Sequence, residues 1–103
     1  MADGLDLPTA CCLIQVTPDA QRTMNTHLGV SAYLSPDDID TGFVASAKIL
    51  YCEGYLWDTD EAKAAIRQAM GVAHNAGRMV ALSLSDVFCV DRHRGEWLSL
   101  IHI

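Results

Sequence analysis

Two short stretches carry the side chains best suited to line a site for a flat ligand. The first, Glu53-Gly54-Tyr55-Leu56-Trp57-Asp58, combines carboxylates with two aromatic rings and a glycine. The second, Ser85-Asp86-Val87-Phe88-Cys89, sets another carboxylate beside an aromatic wall. A carboxylate accepts hydrogen bonds, an aromatic face stacks on a flat ligand, and glycine allows close backbone approach. The same residues also suit a plain role, in which Tyr55 and Trp57 cover a sheet edge and Glu53 points to water.

A third stretch, Thr17 to Gly29, reads TPDAQRTMNTHLG and is polar within the apolar first third of the chain. Arg22 is the only basic residue before Lys48. It is either a charge on a hairpin edge or a group that reaches over a site towards an anion. His27 has no carboxylate or nucleophile paired with it in sequence, which suits a surface or packed histidine better than a base. In Cys89-Val90-Asp91-Arg92-His93-Arg94, the thiol and imidazole would share a helix face, but a metal needs further ligands. That stretch reads as a helix start with Asp91 as its cap and both arginines on a solvated face. No phosphate-binding glycine loop, dinucleotide fingerprint, nucleophile elbow or zinc-protease motif occurs.

The elements that must position these groups follow from periodicity. From Cys11 to Thr17 alternation puts Cys12, Ile14 and Val16 on one face; from Thr23 to Val30 it puts Met24, Leu28 and Val30 opposite Thr23, Asn25 and His27. Pro18 and Asp19 between them are turn residues, so two antiparallel strands are expected. Ser35-Pro36-Asp37-Asp38 predicts a short capped helix from Pro36 to about Gly42. Ala47 to Cys52 reads as a strand, nearly continuously apolar after Lys48, as in a sheet covered on both faces.

Thr59 to Ala76 predicts the main helix, with Ala62, Ala65, Ile66, Ala69, Val72, Ala73 and Ala76 on one face. Asp58 or Thr59 caps it, and Gly77 stands where a left-handed terminal residue belongs; His74 falls on its polar side. Met79 to Leu84 is a second apolar strand. Strand, helix and strand make a βαβ unit with parallel strands, and ligands of such sheets bind beyond the carboxyl ends. The two carboxylate-bearing stretches lie at those ends.

The 103 residues suffice for one domain with a modest core. A net charge of −6 argues against general binding to nucleic acid or an anionic membrane, though one Arg can still hold a small phosphate. No apolar run matches a transmembrane helix, and the opening MADGLDLP has no secretory-signal pattern, so a cytoplasmic protein is expected. Cys11, Cys12, Cys52 and Cys89 fit no zinc spacing and read best as buried free thiols, a disulfide pair remaining open.

The order of TPDAQRTMNTHLG, Asp38-Ile39-Asp40, AKILYCEGYLWD, HNAGRMVALSLSD and FCVDRHR closely resembles the middle of ribokinase-like (PfkB) carbohydrate kinases, nearest to the bacterial adenosine kinase type. The resemblance spans about Pro8 to Trp97. It implies an α/β sandwich with a small β lid, and transfer of the γ-phosphoryl group from ATP, with magnesium, to a primary hydroxyl of a sugar or nucleoside. By position in the family pattern, Asn25, Glu53, Gly54 and Tyr55 fall on the substrate side and Arg22 near the lid or phosphate.

The sequence also departs from that family. Its Asn-x-x-Glu segment, its Asp-Thr-x-Gly-Ala-Gly-Asp type motif and its early glycine-rich sugar-binding segments are absent from these residues, and Thr9-Ala10 stands where Thr-Gly is usual. An internal, partial kinase fold without a catalytic or metal-binding residue is therefore expected over residues 1–97, inactive and marginally stable alone. Residues 98–103, LSLIHI, match the translation of a sequencing adapter and are expected to be appended, the alternative being a genuine apolar helix end after Glu96-Trp97. The second reading is a non-catalytic α/β module that binds a nucleoside or sugar.

Overall fold

The computed structural model describes residues 6–101. The MADGL opening and His102-Ile103 of the expected appended tail lie outside them.

Strands β1 (Cys11–Val16) and β2 (Arg22–His27) form the expected antiparallel hairpin, in register from Cys11↔His27 to Val16↔Arg22. Its loop closes through Thr17 N–H to Gln21 O at 2.9 Å and Ala20 N–H to Thr17 O at 2.9 Å. The Thr17 hydroxyl donates to Asp19, which holds that carboxyl below the usual range. β2 stops at His27, short of the expected Val30. Gly29 turns the chain with φ +53°, and a Cβ there would lie 2.1 Å from the Pro8 carbonyl oxygen. That close approach lets Val30 N–H bond Pro8 O at 2.9 Å, which an extended strand would not allow.

All twelve hairpin residues are exposed, so Cys11 and Cys12 are not buried thiols; only Cys52 and Cys89 are. All four thiols are free. Burial pushes the Cys52 and Cys89 thiols up.

The short helix expected from Pro36 splits in two. A single 3-10 turn, Pro36–Asp38, is closed by Asp38, whose carboxylate accepts from the Ser35 amide at 3.1 Å and hydroxyl at 3.0 Å. Ile39 and Asp40 are extended, and Asp40 then caps α1 (Thr41–Ser46) by accepting from Phe43 N–H at 2.9 Å. Two competing caps so close together break the run.

Strand β3 (Ile49–Glu53), helix α2 (Asp60–Asn75) and strand β4 (Met79–Ser83) build the βαβ unit, with β3 and β4 parallel from Ile49↔Met79 to Glu53↔Ser83. Thr59 caps α2, accepting from Ala62 N–H at 3.2 Å. At the other end Gly77, at φ +68°, completes a Schellman closure: Arg78 N–H bonds Ala73 O at 2.8 Å and Gly77 N–H bonds His74 O at 2.9 Å. Met70 joins the buried face, while Ala76 is exposed.

Helix α3 (Val87–Ile101) starts earlier than Asp91: its cap is Asp86, which accepts from Cys89 N–H at 2.8 Å. Asp91 instead pairs with Arg94 at 3.1 Å. The helix kinks at His93, whose backbone is non-helical. Cys52, Trp57, Ile66, Met70, Cys89, Trp97 and Leu100 form the core, with Leu50, Val80 and Leu82 packed against it. Among the described residues the sheet is covered on that side, while Ile49, Tyr51 and Met79 of the alternate face are exposed, contrary to the expectation of two covered faces. Among the described residues β3 and β4 have no further strand beside them, and α2 and α3 both contribute side chains to that core.

Candidate functional site at the strand ends

The parallel register brings the carboxyl ends of β3 and β4 level, and the chain there is stitched by side chains. Gly54 follows β3 directly; a Cβ on it would lie 2.9 Å from the carbonyl oxygens of both Ser83 and Leu84. Only glycine lets the two strand ends approach this closely. Ser85 sits at φ +68° and joins both sides. Its hydroxyl donates to Glu53 Oε2 at 3.0 Å and accepts from Tyr55 N–H at 3.1 Å, while its own N–H bonds Ser83 Oγ at 3.1 Å. The Tyr51 hydroxyl donates to the other Glu53 oxygen at 2.8 Å. Glu53 is thereby held on both oxygens and remains an acceptor, since a carboxylate has about four lone-pair positions.

Tyr55 is 57% exposed and stands beside Asp86. The negative charge of Asp86 pushes the phenol above its usual range. Asp86 itself is held low, chiefly by the Cys89 backbone N–H at the start of α3. A phenol and two carboxylates converge here, a set that can accept and donate to ligand hydroxyls. Beside it a groove of about 170 Å³ runs along Leu28, Ala32, Tyr55, Leu56 and Ala62, with Asp58 also in its lining. It is smaller than an ordinary ligand pocket of about 300–1,000 Å³.

Behind this surface a second polar network fixes α3 to the βαβ unit. Glu96 accepts from Lys63 Nζ at 2.9 Å and from Trp57 Nε1 at 3.2 Å, and lies 3.4 Å from His93 Nδ1. The Lys63 ammonium holds its carboxyl below the usual range. Asp58 meets His93 Nε2 at 2.9 Å and Arg92 at 3.3 Å. The guanidinium of Arg67 stacks over Trp57 at 5.1 Å. These contacts are structural: they orient Trp57 and the turn that carries Tyr55.

Of the residues expected at the site, Glu53, Gly54 and Tyr55 are brought together. Asn25 and Arg22 stay on the hairpin, opposite Leu13 and Val16 respectively. They have opposite parity along β2, so they lie on opposite faces of the hairpin. Ser85 was visible in the sequence only as part of a strand-end cluster; its role as the link between Glu53 and Tyr55 depends on a positive φ that no local motif announces. The Asp58–His93 contact joins positions too distant in sequence for any spacing rule. Among the described residues no group of three His, Cys, Asp or Glu side chains is placed to hold a metal ion. No helix among them is long and apolar enough to cross a membrane.

No protein-family model and no curated protein matches the chain. Solved structures do. A probable sugar kinase protein from Rhizobium etli CFN 42 is 52% identical, with a TM-score of 0.81 over 90% of this chain and 28% of its own. An adenosine kinase from Sinorhizobium meliloti gives the same 52% identity, TM-score of 0.81, and coverage of 90% of this chain and 28% of its own. The chain thus spans little more than a quarter of the length of these kinases. The resemblance carried by its motifs holds in three dimensions: over nine-tenths of its length this chain is similar, in sequence and in its partial α/β fold, to a segment of sugar and adenosine kinases.

Proposed function

We propose that this chain is a segment of an ATP-dependent kinase that phosphorylates a primary hydroxyl of a nucleoside or sugar, and that it forms part of the acceptor-binding wall. The observation that carries this reading is the 52% identity maintained at a TM-score of 0.81 across 90% of the chain. The strand-end cluster supports it: Glu53 offers acceptor positions for hydroxyl groups, and exposed Tyr55 offers a ring face to a base or sugar. The hairpin would lie over such a ligand, with either Arg22 or Asn25 turned towards it.

Magnesium-ATP does not fit this segment by itself. The described residues include no metal-ligand cluster, and the sequence has neither the Asn-x-x-Glu nor the glycine-rich aspartate motif. No step of phosphoryl transfer is derived on these residues, because that reaction depends on metal, positioning and an activating base. The purified chain with labelled ATP, magnesium and adenosine or ribose is expected to transfer no label. A chimera in which it replaces the matching segment of the Sinorhizobium meliloti kinase is expected to phosphorylate adenosine. Turnover by the chain alone would contradict the first expectation, and a folded but inactive chimera would overturn the kinase reading.

A further inference from the structure

Among the described residues other than glycine, only Ala20 and Ser85 have a positive φ. Ala20 lies in the hairpin loop. Ser85 is the centre of a tight turn just after β4, with φ at +68°, closed by Asp86 N–H to Leu84 O at 2.9 Å. Such a turn is strained for a residue with a Cβ, and glycine would relieve it. What serine has there and glycine lacks is the hydroxyl. It donates to Glu53 Oε2 at 3.0 Å and accepts from Tyr55 N–H at 3.1 Å, so it ties the end of one strand to the end of the other. On the other oxygen, the Tyr51 hydroxyl donates to Glu53 Oε1 at 2.8 Å. Tyr51 and Glu53 alternate with Cys52 along β3 and share one face. Tyr51 is 60% exposed, so its bond to Glu53 is not imposed by packing in the core.

We propose that Ser85 and Tyr51 are positioning residues, which hold the Glu53 carboxylate in one orientation for the acceptor. The proposal rests on the kinase reading above. Glutamate is among the side chains with the most rotamer freedom to lose. Here a donor on each oxygen orders it during folding, so little of that entropy remains to be lost when a ligand binds. Each oxygen keeps a further lone-pair position, fixed in direction before the ligand arrives. The donors come from β3 itself and from the turn after β4, so the parallel register that sets Glu53 opposite Ser83 also sets the carboxylate. Neither hydroxyl has to touch the ligand to do this.

The test uses the chimera in which this chain replaces the matching segment of the Sinorhizobium meliloti kinase. Adenosine affinity is read by calorimetry without ATP, and kcat and KM with it. Ser85→Gly and Tyr51→Phe should each weaken adenosine binding about three- to tenfold, the worth of one ordinary hydrogen bond. KM should rise in step while kcat changes less than about twofold, as for a loss of uniform binding. Ser85→Gly should melt no lower than Ser85→Ala, because glycine relieves the strain at this φ. With Glu53→Ala already present, neither substitution should weaken binding further, since both act through that carboxylate. A merely structural role for the two hydroxyls would persist in that background, and an undiminished effect there overturns the proposal. In the full chain alone, side-chain scalar couplings of Glu53 should report one rotamer, and an average once both substitutions are combined. Averaged couplings in the unsubstituted chain overturn the proposal whatever the chimera does. An active chimera indifferent to both substitutions overturns the proposal alone. A folded chimera that neither binds nor phosphorylates adenosine overturns the kinase reading and takes the proposal with it.

Discussion

Gly54 and Ser85 hold the strand ends together by different means, and their substitutions should separate them. At Gly54 the constraint is space: an added Cβ meets two backbone carbonyl oxygens at 2.9 Å, and backbone cannot swing aside as a side chain can. Gly54→Ala should therefore cost about 2–3 kcal/mol, within the range for overpacking. At Ser85 the constraint is the hydroxyl, since alanine would occupy the same φ of +68° with the same strain. Ser85→Ala should cost about 1 kcal/mol, the net worth of an ordinary hydrogen bond, because water can reach the exposed Tyr55 amide and Glu53. Thermal midpoints of the two variants check the order, and a larger loss for Ser85→Ala would show that the hydroxyl and not the close approach fixes the junction. Gly54 was legible in the sequence as a place for a sharp turn; Ser85 was not, because its importance lies in a contact with a strand some thirty residues earlier.

Helix α2 offers a test of opposite sign within one element. Gly71 lies in its interior and Gly77 just past its end, and a Cβ at either would meet nothing within 4 Å. Packing is thus equal, and backbone alone decides. Gly71→Ala should stabilise by about 0.5–1 kcal/mol, since glycine is a poor helix former. Gly77→Ala should destabilise by about 1 kcal/mol, because alanine disfavours the φ of +68° that the Schellman closure needs. For a domain of this size the midpoints should move apart by roughly 6–16 °C, and shifts of the same sign would refute the backbone account. Thr59, Gly77 and the alanine stripe made α2 readable because caps and periodicity are local. The βαβ order followed from two apolar strands flanking it. The end of β2 and the split before α1 were not readable, since one depends on Pro8 meeting Gly29 and the other on a second cap at Asp40 directly after the turn capped at Ser35. The start of α3 was misplaced for a related reason: both Asp86 and Asp91 suit a cap, and only the packing of buried Cys89 beside Trp97 selects the earlier one.

The molecule as a whole is too open for its length. Its radius of gyration is 15.7 Å, against about 13 Å for a compact chain of 100 residues. Its accessible surface is 7328 Å², against about 5,700 Å² for a folded monomer of this mass. The excess has two sources: a hairpin exposed on both faces, and a parallel sheet open on one. A two-stranded hairpin is marginal in water without a packed face, and an uncovered parallel pair forgoes half of its apolar burial. Unfolding is resisted by the cluster around Trp57, Trp97 and Cys89, fastened by Glu96 to Lys63 and Trp57, together with the buried alanines of α2. The isolated chain should therefore melt broadly, with a midpoint below about 50 °C, at the low end for small domains. The hairpin amides should exchange hydrogen well before those of α2, because local stability follows burial. Its bare strand edges should also make it self-associate as concentration rises. Calorimetry with sedimentation checks this, and a sharp, reversible melt above about 65 °C as a monomer would mean that the core cluster alone suffices and that the open faces need no partner.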